Sequence, residues 1–280
     1  MKPRMNTDEI GSLRTGSFHP CFSALIRGQF SNLLCVLCAS AVFVLSGCAR
    51  DRAAIVPILM YHHVQDLPPN ADEGMRTWTV SEKDFRAQIK FLAEHEYHTI
   101  TFDQLADNLI DGKPLPPKPI ILTFDDGWDV QYGTVFPILR ELHLTGTFFV
   151  CPSSIGETPG SGYMTWPWLR EMIAGGMDVQ SHTVNHPRLR DMPPDAQRRE
   201  MIESKRTLES KLGRPIHAVA YPFGQFDQRI MKIVEEAGYR CAVGIEPGYV
   251  QRASQIYQLR RTRISYGDTL DTFREWVTYP

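Results

Sequence analysis

Concentrated positive charge is missing from this chain: 30 Lys and Arg are set against 32 Asp and Glu, for a net charge of −2, and no long basic run occurs. A nucleic-acid partner is therefore not expected, because such binding rests on a basic footprint that neutralises phosphates. Internal repeats and low-complexity tracts are absent, and 42% hydrophobic with 22% charged content leaves no room for a disordered chain as the default. Cysteine is scarce where a disulfide framework would need it. Of six, Cys21, Cys35 and Cys38 precede residue 47, Cys48 follows directly, and Cys151 and Cys241 each sit in an apolar strand-like run where a buried thiol is ordinary.

An apolar run of membrane-spanning length is lacking near the N-terminus as well. The segment Leu33 to Leu45 falls short of the roughly 20 residues needed to cross a bilayer and fits the h-region of a signal peptide. It ends in "LSGC", Leu45 to Cys48, which resembles the lipobox of bacterial lipoproteins, in which the cysteine is lipidated and becomes the mature N-terminus. Residues 1–47 are thus expected to be a lipoprotein signal peptide, Cys48 the lipidation site and residues 48–55 a short tether. Met1 to Arg27, with Asp8 and Glu9, is long for an n-region, so a start codon further downstream is expected. The implied location is exported and membrane-anchored, on the outer membrane facing the periplasm.

From Val56 onward, strand-like and helix-like runs alternate, which argues for one α/β domain over residues 56–280. Strands are expected at Val56–Tyr61, His98–Thr101, Pro119–Phe124, Gly146–Val150, Met177–Ser181, His217–Tyr221, Cys241–Ile245 and Arg261–Ser265. Ser81 reads as an N-cap before Phe85, Ile89 and Leu92 at helical spacing, and a second helix is expected from Asp195 to Leu212, closed by Gly213 and Pro215. About eight strands alternating with helices suit either a doubly wound sheet or a (β/α) barrel, and periodicity does not separate them.

Polar residues collect at the C-terminal strand ends. In "LTFDDGW", Asp125 and Asp126 follow a buried strand and precede Gly127, which permits a sharp turn that brings both carboxylates to the mouth. In "SHTVNHP", His182 and His186 are four residues apart, and Pro187 biases the segment to a tight turn rather than a long helix. Two histidines with one carboxylate form a standard set for a catalytic divalent metal.

These two motifs and "AYPFG", Ala220 to Gly224, occur in that order and closely resemble those of polysaccharide deacetylases, the NodB-homology domain of carbohydrate esterase family 4. The resemblance implies a distorted (β/α) barrel of seven or eight strands that hydrolyses N-acetyl, or sometimes O-acetyl, groups on sugar polymers. It assigns Asp125 as general base, Asp126, His182 and His186 as ligands of one divalent metal (zinc, with cobalt, nickel or manganese as alternatives), and the backbone N–H of Phe223 as oxyanion donor. Two positions depart from the family pattern. Ala220 stands where an Arg commonly steadies the base, and no histidine follows His217 to supply the usual C-terminal acid. "LMYHHV", Leu59 to Val64, resembles the branch that includes poly-N-acetylglucosamine deacetylases and makes His62 the candidate acid, with His63 in reserve; only one of the two is expected to reach the metal.

Among aromatic residues near these loops, Tyr221 is the first choice for stacking on a sugar ring and Trp128 the second. The long connection from His63 to Val80 is a candidate cover for the cleft. The expected function is metal-dependent N-deacetylation of a cell-surface or matrix polysaccharide containing N-acetylhexosamine. Its rivals are an O-acetyl esterase acting on a xylan-like polymer and a non-catalytic glycan-binding lipoprotein, the latter suggested by the missing Arg and C-terminal acid.

Overall fold

A two-residue alternation between an inner and an outer apolar face runs through eight parallel strands in the computed structural model, which describes residues 51–278. The expected signal peptide and Cys48 lie outside the described residues. The strands are β1 (Ile58–Tyr61), β2 (His98–Thr99), β3 (Pro119–Phe124), β4 (Thr147–Val150), β5 (Asp178–Ser181), β6 (Ala218–Ala220), β7 (Cys241–Val243) and β8 (Thr262–Arg263). They pair in the order β7-β6-β5-β4-β3-β1-β8, with β2 alongside the start of β3. A parallel bridge from Val243 to Leu259 joins β7 to the residues entering β8, so the pairing returns to its beginning. The result is a distorted (β/α) barrel, one domain whose strand ends share a mouth.

Inward-facing Ile58, Ile121, Phe149, Ala218, Cys241 and Val243 form one cluster, and outward-facing Leu59, Leu122, Phe148, Val179 and Val219 belong to a larger one. The α-helices from Glu82 onward are α1 (Glu82–Glu94), α2 (Phe102–Asp111), α3 (Phe136–Glu141), α4 (Trp166–Ala174), α5 (Pro194–Leu212), α6 (Gln228–Glu236) and α7 (Leu270–Val277). In α1 the hydroxyl of Ser81 accepts from Asp84 N–H, and Phe85, Ile89 and Leu92 are buried together. Helix α5 stops at Gly213, whose φ of 67° is a left-handed cap. Helix α2 sends Phe102, Leu105 and Leu109 into the inner cluster and so plugs the barrel where the strands begin.

Part of the expected tether, residues 48–55, lies among the described residues and is paired. Ala53–Ile55 pairs antiparallel with Val250–Arg252, and Asp51 accepts from the backbone N–H and hydroxyl of Ser254, because pairing satisfies backbone groups that a free tether would leave to water. Cys151 and Cys241 are both buried free thiols.

Between β5 and β6 one register pair, Ser181 with Val219, is formed. Side chains bridge the gap: Gln180 Oε1 accepts from His217 N–H (2.9 Å) and Ala218 N–H (2.8 Å), and His182 Nδ1 donates to the Ala220 carbonyl (2.8 Å). Replacing Gln180 by Ala strands the buried Ala218 N–H, at about 1–3 kcal/mol, and frees the part-buried His217 N–H as well. Gln180→Ala should therefore unfold at clearly lower urea concentration than the parent. An unchanged midpoint would show that the seam is held by other means.

Candidate active site

The inner stripe ends in charge. Asp125, the residue after β3, and Arg261, the residue before β8, face each other inside the barrel with 2% and 0% of their surface exposed. Arg261 grips the carboxylate with both arms, Nη1 to Oδ1 and Nη2 to Oδ2 each at 2.8 Å, the fork geometry that best suits this pair. Its Nε donates to the Gly244 carbonyl (2.8 Å) and Nη1 also reaches Thr123 Oγ1 (3.2 Å), so the guanidinium is held from β3 and from the end of β7. Burial alone would push the Asp125 pKa up, but the Arg261 charge, aided by His182, outweighs it and holds the carboxyl below its ordinary value.

Asp126 turns the other way. Its backbone is left-handed (φ 75°), as is that of Gly127 (φ 82°), where an added Cβ would meet Val150 and Ile155 side chains at 3.2 Å. Asp126 Oδ1 lies 3.5 Å from His182 Nε2 and 3.5 Å from His186 Nε2, while Oδ2 accepts from the Trp128 indole N–H at 3.1 Å. His182 spends Nδ1–H on the Ala220 carbonyl, so in the neutral ring Nε2 carries the lone pair that faces Asp126. The three donor atoms lie within 4.8 Å of one another, and this N,N,O set fits a divalent first-row metal. Asp125 stands beside the set, its Oδ2 4.0 Å from His182 Nε2.

Burial lowers the affinity of both histidines for a proton, but at His182 the carboxylates of Asp126 and Asp125 outweigh it, whereas at His186 burial and the neighbouring His182 prevail. Burial would likewise raise the Asp126 pKa, yet the surrounding histidines hold it well below the usual carboxylate range.

The loop after β5 is the tight turn that Pro187 implies. Thr183 (φ 67°) and His186 (φ 54°) bend it, and the buried Glu200 of α5 clamps it by accepting from Val184 N–H (2.8 Å) and Asn185 N–H (3.0 Å). Phe223 is also left-handed (φ 56°) and stands at the first turn of a three-residue helix, where backbone N–H groups lack an intrahelical acceptor. Its ring meets His186 edge to face at 4.7 Å. Gly224 is required here, since a Cβ would fall 2.4 Å from Ile245.

Asp125, Asp126, His182, His186, Phe223 and Arg261 open on a cavity of about 430 Å³. His62 and His63 both line it: the first points into the barrel, and the second lies on the rim against Trp128 (ring centroids 4.5 Å). His62 is deep, 4.6 Å from the Trp78 ring, and its buried Nδ1 has no hydrogen-bond partner. Burial pushes its pKa down to about 4 despite the nearby Asp125 and Asp126. The connection from His63 to Val80 forms a parallel strand pair and a short helix, Glu73–Trp78, that delivers Trp78 to the cavity wall.

Tyr221 is a correction. It borders the cavity but is 1% exposed, with its ring stacked on Phe226 (4.9 Å) and its hydroxyl donating to the Tyr257 carbonyl (2.9 Å), so no ring face is free for a sugar. The reason is the strand alternation: Ala220 faces in, so Tyr221 faces the outer core. Trp128 is packed between His63 and Tyr163 and serves Asp126 through its N–H. Sequence reasoning also missed Arg261, although a charged residue in the inward register of a strand was the available signal.

Comparison with known proteins gives one family. A profile described as polysaccharide deacetylase matches residues 112–242. Over 227 residues, 81% of this chain and 77% of the relative, the sequence is 30% identical to YxkH of Bacillus subtilis (strain 168), which is assigned to the polysaccharide deacetylases. It is 24% identical over 238 residues to a poly-beta-1,6-N-acetyl-D-glucosamine N-deacetylase of Staphylococcus epidermidis, covering 78% of this chain and 82% of that one. Among solved structures, the Streptococcus pyogenes deacetylase PplD in complex with acetate superposes with a TM-score of 0.75 at 27% identity, over 81% of this chain and 100% of that one.

Removing one partner of the buried pair leaves an uncompensated charge, which costs about 3–5 kcal/mol. Arg261→Gln should thus be strongly destabilised at pH 7, and Arg261→Gln combined with Asp125→Asn should recover part of the loss. Because the folded pKa of Asp125 is depressed, the pair's contribution is complete above the ordinary value of 3.8 and fades as pH falls through the lower folded value. Urea unfolding of parent and variants between neutral and acid pH measures both effects. Equal stability of parent and Arg261→Gln at pH 7 would refute the assigned role.

Proposed function

Since this chain belongs to the polysaccharide deacetylase family, we propose that it hydrolyses the N-acetyl amide bonds of a polysaccharide containing N-acetylhexosamine, with one divalent metal as cofactor. The observation that carries this reading is the division between adjacent carboxylates: Asp125 is held on both oxygens by Arg261, and Asp126 directs one oxygen at His182 and His186. The N-deacetylase relative favours an amide over an ester substrate.

Asp126, His182 and His186 would hold the ion, zinc or cobalt, nickel or manganese, which when bound supplies a Lewis acid for the acetyl carbonyl and acidifies water. Asp125 is ionised at neutral pH and accepts the proton of the attacking water, while Arg261 fixes the direction of its lone pairs. The Phe223 N–H donates to the oxyanion that develops on the acetyl carbonyl oxygen as water attacks its carbon. The leaving amine requires a proton. His62, with a pKa of about 4, is neutral at rest, so a proton that it delivers is one taken up during the cycle. Lipid on Cys48 would tether the enzyme at the outer membrane facing the periplasm, a reading that rests on residues 33–48 alone.

Acetate release from N-acetylglucosamine oligomers and from O-acetylated xylan, each with and without a chelator, tests the reading. Amide turnover that stops on chelation and returns with added metal is expected, and undiminished turnover by the stripped protein would overturn it. Asp125→Asn should keep its metal by elemental analysis yet lose about 10²- to 10⁴-fold in kcat; loss of metal would make Asp125 a ligand. His62→Ala should lose about 10²-fold or more on the amide and much less on an activated aryl ester, whose leaving group needs little protonation. Equal losses on both would remove His62 from proton transfer.

A further inference from the structure

Toward β8 the catalytic cavity adjoins a second cleft. Met60, Ile245 and Arg263 line both, and the second holds about 390 Å³, within the about 300–1,000 Å³ usual for small-ligand sites. Beyond the shared wall it is lined by Thr262, Ser265, Asp268, Trp276 and Pro247. An indole beside hydroxyl, carboxylate and guanidinium groups is the chemistry that holds a pyranose, with an apolar surface for the ring and donors and acceptors for its hydroxyls.

The placement follows from strand geometry. Arg261 and Arg263 are two residues apart, so both point inward, separated by roughly 7 Å along the chain. The first secures Asp125, and the second stands one pleat nearer the mouth, exposed, with its guanidinium 4.8 Å from the Trp78 ring. In the loop after β8, Asp268 Oδ2 accepts from Ser265 N–H at 2.6 Å, which fixes the carboxylate and leaves its other oxygen for a ligand hydroxyl.

We propose that this cleft is a sugar subsite that takes the pyranose next in the polymer to the one being deacetylated, with Arg263 contacting both units and Asp268 and Trp276 holding the second. The proposal rests on the deacetylase reading above for its choice of substrate. It makes the enzyme a chain reader: a monosaccharide fills one cleft, whereas an oligomer fills two.

The metal-loaded protein is assayed on N-acetylglucosamine and on its β-1,4- and β-1,6-linked tetramers, and tetramer binding to Asp125→Asn is followed by calorimetry. A better linkage should exceed the monosaccharide in kcat/KM by about tenfold or more. Asp268→Asn, whose amide oxygen can keep the Ser265 contact, and Arg263→Gln should each shrink that ratio, chiefly through KM, and should weaken tetramer binding when combined with Asp125→Asn. Unchanged ratios and affinities in both variants overturn the subsite, as does a parent that binds neither tetramer. A parent that releases no acetate from any substrate sinks the deacetylase reading instead. In that case the binding arm alone decides the subsite, for it if the variants weaken tetramer affinity and against it if they do not.

Discussion

A charge pair buried inside a barrel is the constraint on which this site depends. Removing Arg261 and Asp125 from water is costly, and the pair is tolerable only because every arm of the guanidinium is matched: the two carboxylate oxygens, the Gly244 carbonyl and the Thr123 hydroxyl. The partners come from β3, from the end of β7 and from the residue entering β8, so the interaction exists only when the barrel is closed. Closure and orientation of the Asp125 carboxylate are the same event. A carboxylate fixed this way is a feature of the scaffold, whereas one held by a surface loop would wander over several geometries.

The facing residues obey a second constraint. Of the non-glycine residues with positive φ, Asp126, Thr183, His186 and Phe223 all belong to the motif loops at the mouth. Such backbone costs on the order of 1–3 kcal/mol per residue and persists only where surroundings over-determine it. Those surroundings are identifiable: Trp128 on Asp126, Glu200 on the turn before His186, and Ile245 packed against Gly224 beside Phe223. The strain bends three loops towards one point, and the buried anchors prevent their relaxation.

What the sequence disclosed and what it concealed differ by distance along the chain. Asp125 with Asp126, and His182 with His186, are local patterns whose spacing alone suggests shared chemistry. The succession of strand-like runs was equally legible, down to the Ser81 cap and the Gly213 stop. The partner of Asp125 lies 136 residues away, and no local pattern joins Arg261 to it. Arg261 and His62 also fall outside residues 112–242, the segment that the family profile matches. Tyr221 was misread for a different reason: its place in a motif was weighed above the alternation that turns it into the outer core, although Ala220 beside it already indicated which face was inward.

The same geometry changes the meaning of Ala220. A missing arginine at that position lent weight to a non-catalytic glycan-binding reading, on the premise that the base had lost its support. In a closed barrel, however, every strand sends alternate side chains to the interior, so a guanidinium at a given point can be supplied from any of several backbone positions. Here it arrives from the start of β8, and the small side chain at Ala220 leaves the β6 wall with a backbone carbonyl that orients His182. The requirement that chemistry places on the fold is a charge at a position in space, and this chain meets it from a different strand.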